Sequence, residues 1–247
     1  MGESSRLYLI AEAGATHTGL QSAMNLVDMA IDCGFDAIKF QMVQLERINP
    51  DEKFGKYRLE DILKQRLLKI DEWEELNNYI GDRIEWFVTT TLFSHVDWAE
   101  KHNMRQVKIC SRDLTNLELI KYASKKIDTV HLDTGGGSFF QIDEAENEIV
   151  NHVIIHHCPV GYPSNPENEN LRRIKELKEE FECQVGYSSH TASLEMDVMA
   201  VALGADVLEV PIKEQFSSSI SPEEKYALTA EQATNYVQTI RKCERAL

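Results

Sequence analysis

Short apolar runs alternate with longer amphipathic stretches along the whole chain, and this alternation constrains the fold more than any other feature. The runs are rich in β-branched residues, as in IEWFVTTT and HVIIHH, and each is followed by apolar residues at helical spacing. A repeated strand–helix pattern of this kind is typical of parallel α/β proteins. The pattern occurs eight times in 247 residues, the usual length of one (β/α)8 barrel. We therefore predict a single-domain TIM barrel over residues 1–247.

The predicted strands are buried runs, and the predicted helices lie between them. The first helix ends before Gly34, because glycine is favoured just beyond a helix carboxyl terminus. After the second strand, a longer excursion runs from Met42 to about Lys56 before the next helical stretch. The predicted strands are 7–13, 36–41, 84–91, 105–110, 128–134, 152–157, 184–189 and 206–212, and the predicted helices are 20–33, 71–82, 94–102, 116–125, 140–149, 171–181, 193–203 and 230–246.

Charge and cysteine content limit the partners that the chain can have. The net charge is −15, and a negative surface repels nucleic acid and anionic lipid, so neither is an expected partner. Five widely spaced cysteines without a CxxC motif indicate free thiols in a reducing compartment. No apolar run approaches the ~18–20 residues that span a bilayer, and no secretory signal is visible. We expect a cytoplasmic protein.

Polar residues gather at the predicted carboxyl ends of the strands, which form the active-site face of a barrel. Lys39 and Lys108 are the most informative, because each lies within an apolar strand and lysine is almost never fully buried unless it is paired. Either each lysine reaches the rim or pairs with Glu12 or Glu209, or the two lysines together form an anion site. Neighbouring hydroxyl groups would complete an anion site as hydrogen-bond donors. The polar residues at or near the strand ends are Glu12, Lys39, Gln41, Thr89, Thr90, Thr91, Lys108, Ser111, Asp113, Asp133, Thr134, His156, His157, Tyr162, Ser188, Ser189, His190 and Glu209.

Several of these residues have a structural interpretation beside a functional one. His190 follows two serines in GYSSHT, and it is either a hydrogen-bonded polar residue or a metal ligand or proton carrier. His156 and His157 point to opposite sides of their strand, so at most one of them lines the pocket. Three glycines follow Asp133 and Thr134, but the lysine and spacing of a phosphate loop are missing, so we predict a tight turn there.

An ordered series of motifs resembles the sialic acid synthase family over nearly the whole chain. LIAEAGATHTG resembles the family's opening IAE-G-x-x-H-x-G, and DAIKFQ resembles its AVKFQ strand. TTTLF, VKICSRD and VGYSSHT are similar to STPF, YKIGSGE and VGLSDHT. HHCPVGYPSNPEN resembles HCTxxYPTPxE, and ALGADVLEVPI is similar to ALGAxVIEKHF. Several motifs in the correct succession are far more specific than any one of them.

The resemblance implies an enzyme of acid-sugar biosynthesis, a transferase that condenses phosphoenolpyruvate, or a related three-carbon acid, with an aldehyde sugar such as N-acetylmannosamine. It also implies a divalent metal, manganese or magnesium. Matched residue by residue, the family's phosphoenolpyruvate positions correspond to Lys39, Thr91, Lys108, Ser111 and Ser188, its sugar or water contacts to Glu12, Gln41, Asp113, Tyr162 and Glu209, and one of its two metal-binding histidines to His190. The resemblance thus implies catalytic roles for Glu12, Lys39, Lys108, His190 and Glu209, and substrate contacts for the other positions and for Asp133.

Four departures from the family pattern imply an altered site. The second metal histidine corresponds to Pro211, whose side chain cannot ligate a metal, so we expect weak or no metal binding at His190. A loop asparagine corresponds to Val160, and a serine corresponds to Asp133, which would repel a bound anion unless paired with a lysine. We also expect no carboxyl-terminal antifreeze-like domain, the family domain that lends an arginine to the partner subunit's sugar site. We therefore predict that the substrate differs from the family norm.

Two other functions remain open at this point. One is a Schiff-base aldolase that uses Lys39 or Lys108, since burial or a nearby cation turns a lysine into a nucleophile by lowering its pKa. The other is a non-catalytic, sugar-binding relative of the family. The expected partners are small anionic and sugar substrates, and a homo-oligomer is compatible with the sequence.

Overall fold

Eight parallel strands close into a barrel in the computed structural model, which describes residues 6–14, 16–191, 193–215 and 220–247. The barrel order is β1-β8-β7-β6-β5-β4-β3-β2, so the first strand is hydrogen-bonded to both the second and the last. The TIM barrel predicted from the sequence is therefore confirmed. The strands are β1 (Tyr8–Glu12), β2 (Ala37–Gln41), β3 (Glu85–Thr89), β4 (Gln106–Ile109), β5 (Thr129–Asp133), β6 (His152–His157), β7 (Gln184–Ser188) and β8 (Val207–Pro211).

The helices of the described residues lie outside the barrel, with their apolar faces against the strands. Gly34 ends the first helix in the left-handed region (φ 86°), which glycine adopts without a steric penalty. No described helix combines the length and the apolar character needed to cross a bilayer. The helices are α1 (Leu20–Cys33), α2 (Leu59–Leu63), α3 (Ile70–Ile80), α4 (Phe93–Lys101), α5 (Leu117–Lys126), α6 (Phe139–Glu146), α7 (Arg173–Phe181), α8 (Leu194–Ala202) and α9 (Ala230–Glu244).

The segment between β2 and α3, which includes the predicted excursion from Met42 to about Lys56, is more structured than its sequence indicated. It contains a 3-10 turn (Leu45–Arg47), a short antiparallel pairing of Lys53–Phe54 with Tyr57–Arg58, the helix α2 and a second 3-10 turn (Lys64–Arg66). We refer to residues 42–69 as the cap segment, because its side chains form one wall of the cavity at the barrel mouth.

Helix α6 is shorter than the predicted 140–149, because the residues that follow it are bound to the end of α5. Ser124 Oγ accepts a hydrogen bond from the Val150 amide (2.6 Å), and Asn151 donates to the Ser124 carbonyl (2.6 Å). These side chain–backbone bonds hold the chain in an extended approach to β6. These bonds join residues that are distant in sequence, so the local spacing of apolar residues could not predict where the helix ends.

The closing helix α9 returns to the start of the barrel. Arg241 donates to the Leu7 carbonyl and forms an ion pair with Asp36, and Glu244 accepts a hydrogen bond from the Leu7 amide (2.5 Å). The last helix therefore holds the first strand where β1 pairs with β8.

The interior of the barrel contains a small apolar layer that buried polar side chains also cross, since His131 stacks on Phe87 of this layer (centroid distance 4.9 Å). A polar layer of charged and hydroxyl side chains lies toward the carboxyl ends of the strands. The polar layer is where the sequence analysis placed the functional residues. The apolar layer consists of Ile10, Ala37, Phe87, Ile154 and Val207.

Candidate active site

The carboxyl ends of β1, β2 and β8 bring three ionisable side chains together at the barrel mouth. Lys39 forms an ion pair with Glu12, donates to Thr89 Oγ1 (3.0 Å) and lies 3.6 Å from Glu209 Oε1. Its residue is only 4% exposed. Lys39 is therefore a buried, paired lysine that points to the mouth.

Lys108 on β4 is the centre of a second set of contacts, deeper than the first. Its ammonium donates to Ser188 Oγ (2.8 Å) and forms ion pairs with Glu209 Oε1 (2.8 Å) and Asp133 Oδ1 (2.9 Å). All three donors of the ammonium are thus used. Asp133 is paired with a lysine, which was the condition for its charge to be tolerated near an anion site.

The two lysines differ in their proton affinity because their surroundings differ. Burial is the largest effect on Lys39 and lowers its pKa. Burial alone would also lower the pKa of Lys108, but the charges of Asp133 and Glu209 outweigh it and raise that pKa. Burial would raise the pKa of Glu209, whereas the charges of Lys108 and Lys39 lower it to about 2. Lys108 is therefore the more firmly protonated of the two lysines.

Two connected cavities open above this cluster. The deeper one has a volume of about 80 Å³ and contacts Glu12, Lys39 and Glu209. The outer one has a volume of about 410 Å³ and extends under the cap segment. The residues that line both are Gln41, Cys110, Asp133, Tyr162 and Glu223.

Two ion pairs among the described residues join the cap segment to the mouth, Arg47 with Asp113 and Glu52 with Arg112. Arg47 binds both carboxylate oxygens of Asp113 (2.5 and 3.0 Å) and donates to the Thr91 carbonyl (2.6 Å). The two-pronged geometry is the strong form of an arginine–carboxylate pair. Asp113 and Thr91 line the outer cavity, and the Asp113 carboxylate already has a cationic partner.

The remaining predicted site residues divide between the cavities and the floor beneath them. Ser111 and Tyr162 line the outer cavity, and Ser111 Oγ also accepts a hydrogen bond from the Gly135 amide (2.9 Å). Ser188 lies below, where it accepts from Lys108. His156 faces the barrel interior, whereas His157 points outward and contacts the Glu169 carbonyl (2.6 Å). Both lie away from the cavity walls.

His190 lies at the edge of the deeper cavity, in a position that does not fit the metal pair of the family. Its Nδ1 contacts the Pro159 carbonyl (3.0 Å), and its ring lies against Tyr162 with a centroid distance of 4.4 Å. Pro211, in the place of the second histidine, lines the same cavity. Among the residues that the structure describes, no group of three or more His, Cys, Asp or Glu side chains is arranged to hold a metal ion.

Glu223 is a site residue that the sequence analysis missed. It lines both cavities, and its Oε2 is buried without a hydrogen-bond partner among the described residues. Burial raises its pKa to about 7, against the opposing charge of Lys39. Glu223 lies in the irregular segment after β8, where no strand end marks it as part of the mouth. Arg47 was missed for the same reason, because the cap segment lacks a periodic pattern.

The chain is similar to enzymes of acid-sugar synthesis over its whole length. A family model described as NeuB family matches residues 26–247. An uncharacterized protein of Methanocaldococcus jannaschii is 34% identical over 100% of this chain and 74% of its own length, and N,N'-diacetyllegionaminic acid synthase of Legionella pneumophila is 29% identical with the same coverage. The crystal structure of an N-acetylneuraminic acid synthetase from Leptospira borgpetersenii, in complex with citrate, has a TM-score of 0.87, 25% identity and coverage of 100% and 88%.

Proposed function

The chain belongs to the NeuB family, and on this premise we propose that the barrel mouth is the active site of an acid-sugar synthase. The protein is an enzyme that condenses phosphoenolpyruvate, or a related three-carbon acid, with an aldehyde sugar. The observation that carries this conclusion is the convergence of Lys39 and Lys108 on one mouth, beneath a cavity of about 410 Å³. The relatives reported above give no support to a Schiff-base aldolase.

We assign the deeper cavity to the three-carbon acid and the outer cavity to the sugar. In this arrangement Lys39 lines the deeper cavity that holds the acid, Lys108 and Ser188 lie beneath it, and Thr91 and Ser111 reach the acid from the wall of the outer cavity. Gln41, Asp113 and Tyr162 contact the sugar, and Glu12 and Glu209 hold Lys39 in place. A new carbon–carbon bond from C3 of phosphoenolpyruvate to the aldehyde carbon leaves the aldehyde oxygen in need of a proton, while water adds to C2 and inorganic phosphate leaves as its bond to the three-carbon unit breaks. Glu223, with its pKa near neutrality, is suited to supply this proton.

We propose that the substrate is altered from the family norm. Two ammonium groups, those of Lys39 and Lys108, face three carboxylates, those of Glu12, Asp133 and Glu209, so the cluster has no spare positive charge. The outer cavity has an apolar wall from the cap segment, which favours a sugar with apolar substituents. The residues of this wall are Met42, Val43, Ile48, Phe54, Leu59 and Leu63.

The chemistry that a divalent metal supplies in this family is polarisation of the aldehyde. The residues around His190 do not fit such a metal, and no step above depends on one. We predict weak or no binding of Mn²⁺ or Mg²⁺ at His190, measured by titration calorimetry on chelator-treated protein. Tight binding that His190→Ala abolishes would contradict this prediction.

The test of the proposed function is phosphate release from phosphoenolpyruvate in the presence of candidate aldehydes, with N-acetylmannosamine as the family reference. We expect release with at least one aldehyde and none without an aldehyde. Lys39→Met should abolish it, whereas Lys175→Met, at an exposed lysine on α7, should not. Turnover of N-acetylmannosamine at a rate typical of enzymes, ~1 to 10³ per second, would contradict the altered substrate. Trapping of pyruvate by borohydride would favour the aldolase.

We further propose that the barrel acts in the cytoplasm and that homo-oligomerisation is compatible with it. The five cysteines are all unpaired, which suits a reducing compartment. Arg47 and Arg112 line the outer cavity, so the chain itself supplies guanidinium groups there. Arg112→Ala should therefore weaken sugar binding, and light scattering would give the oligomeric state.

A further inference from the structure

A column of hydrogen-bonded side chains runs through the barrel from the active site to the opposite end. Ser188 Oγ contacts His156 Nδ1 (3.1 Å), and His156 Nε2 contacts His131 Nδ1 (2.8 Å). His131 Nε2 in turn contacts Gln106 Oε1 (2.6 Å), and the Gln106 amide donates to Glu85 (2.6 Å). Both histidines are completely buried. We refer to His156, His131 and Gln106 as the axial column.

The charge at the lower end of the column fixes the direction of every bond in it. The Glu85 carboxylate accepts one hydrogen bond from the Gln106 amide and another from the Tyr8 hydroxyl (2.9 Å). The Gln106 amide nitrogen therefore faces Glu85, and its amide oxygen faces His131. An amide oxygen only accepts, so His131 must carry its proton on Nε2.

Both imidazole rings are neutral, so each has one donor and one acceptor nitrogen. The direction of the hydrogen bond at Gln106 therefore determines the direction of each bond up to Ser188. Burial, reinforced by the charge of Lys108, lowers the pKa of His131 to about 3, and the same two causes lower the pKa of His156. A neutral ring with a proton on Nε2 is an acceptor at Nδ1. His156 therefore donates to His131 and accepts from the Ser188 hydroxyl.

Ser188 has one proton and two acceptors at equal distance. One is His156 Nδ1 (3.1 Å), and the other is Asp133 Oδ1 (3.1 Å). One lone pair of Ser188 Oγ meanwhile accepts from Lys108. Because the column leaves His156 Nδ1 unprotonated, this nitrogen accepts the Ser188 hydroxyl proton in a hydrogen bond. The Ser188 hydroxyl then does not donate to Asp133.

We propose that His156 and His131 are positioning residues that keep the Asp133 carboxylate free of the Ser188 proton. Asp133 lines both cavities, and its Oδ1 is then engaged by Lys108 but not by Ser188, so this oxygen keeps a lone pair for a hydroxyl of the sugar substrate. The use of this acceptor in turnover rests on the proposed function, whereas the direction of the column does not. Neither histidine is itself placed in contact with substrate.

Two substitutions of His156 separate this role from simple packing. The terminal atoms of asparagine occupy the position of Nδ1, so His156→Asn keeps an acceptor for Ser188 and loses His131. The terminal atoms of glutamine occupy the position of Nε2. His156→Gln therefore keeps a donor to His131 and loses the hydrogen bond from Ser188. A residue that only filled space would show no such difference between the two variants.

We expect His156→Gln to lower kcat by about 10- to 100-fold, as for a misplaced catalytic group, with little change in KM for phosphoenolpyruvate. His156→Asn should retain most of kcat. His157→Gln, on the outer side of the same strand, is the matched control and should leave kcat unchanged. Equal kcat values in the two His156 variants, or a lower value in His156→Asn, would overturn the proposal.

A spectroscopic measurement on the unaltered protein tests the column independently of any activity. With ¹⁵N-labelled histidine, both rings should show a protonated Nε2 and a bare Nδ1 at about pH 6 to 8. The His131 and His156 signals are assigned by their loss in single variants. A proton on Nδ1 of either ring, or a doubly protonated ring, would overturn the proposed direction. If the NMR result holds and phosphate release fails, the proposed function is wrong and the column is not.

Discussion

We expect Asp133 to weaken the binding of phosphoenolpyruvate and also to accept a hydroxyl of the sugar substrate. It shares Lys108 with Glu209, so it removes part of the positive charge that an anionic substrate would otherwise meet. Asp133→Ser should therefore strengthen phosphoenolpyruvate binding, by about 1–3 kcal/mol for one charge-assisted contact. Calorimetric titration of wild type and variant measures this difference.

The same substitution should lower kcat if Asp133 accepts a hydroxyl of the sugar. Asp133→Asn is the matched control, because it removes the charge and keeps an oxygen acceptor. Unchanged or weaker phosphoenolpyruvate binding in both variants would show that Lys108 does not act as a cation for the substrate.

Gly186 is the residue that makes room for the axial column. A Cβ atom on it would lie 2.6 Å from two atoms of the His156 ring, closer than such contacts occur. Gly186→Ala should cost about 1–3 kcal/mol of unfolding free energy through overpacking. In a His156→Ala background the cost should nearly disappear, since the ring is gone. Urea unfolding of the four proteins gives the coupling energy, and additive costs would mean that the clash lies elsewhere.

At the scale of elements, one buried carboxyl group joins β7 to the two helices that close the barrel. Asp197 on α8 accepts from Ser189 (3.2 Å) and from Tyr236 on α9 (3.1 Å). Burial raises its pKa to about 7, above the ~3.9 of an unfolded chain. Between these values the folded state holds a proton that the unfolded state has lost, so stability falls as the pH rises from about 4 to 7.

Asp197→Asn cannot ionise and should not show this loss. Relative to wild type, the variant should gain about 2–4 kcal/mol of unfolding free energy between about pH 4 and pH 8. Denaturant unfolding at both pH values measures the gain. Parallel pH curves for the two proteins would mean that Asp197 has an ordinary pKa in the folded state.

The elements were easier to predict from the sequence than the contacts between them. The strand ends placed Glu12, Lys39 and Glu209 at one mouth, because the alternation of apolar runs fixes which residues end a parallel strand. Glu223 and Arg47 were missed, since they lie in irregular segments that reach the mouth only through tertiary structure. The axial column was missed for a different reason. The sequence left open which of His156 and His157 faces inward, His131 was not singled out, and the tautomers depend on Glu85 at the far end of the barrel.

For the whole molecule, the net charge of −15 opposes the approach of an anionic substrate. Salt screens this long-range repulsion more than it weakens the buried contacts of the site. We therefore expect kcat/KM for phosphoenolpyruvate to rise by about two- to fivefold between low and physiological ionic strength. NaCl and KCl should act alike, and KM for an uncharged aldehyde should not change. A fall in kcat/KM with salt would indicate a local positive potential that attracts the substrate.

The bonds between α9 and the first strand also bear on how the chain is made. The Asp36–Arg241 contact joins residues 205 positions apart, and the Leu7–Glu244 contact joins residues 237 apart. During synthesis the amino-terminal strand–helix units emerge from the ribosome long before α9. Until α9 binds the first strand, the incomplete barrel exposes apolar surface and unpaired strand edges. We expect ribosome-bound chains that end before α9 to be cut readily by protease and to recruit chaperones. Protease resistance in such chains would show that the first seven strand–helix units already form a stable structure without α9.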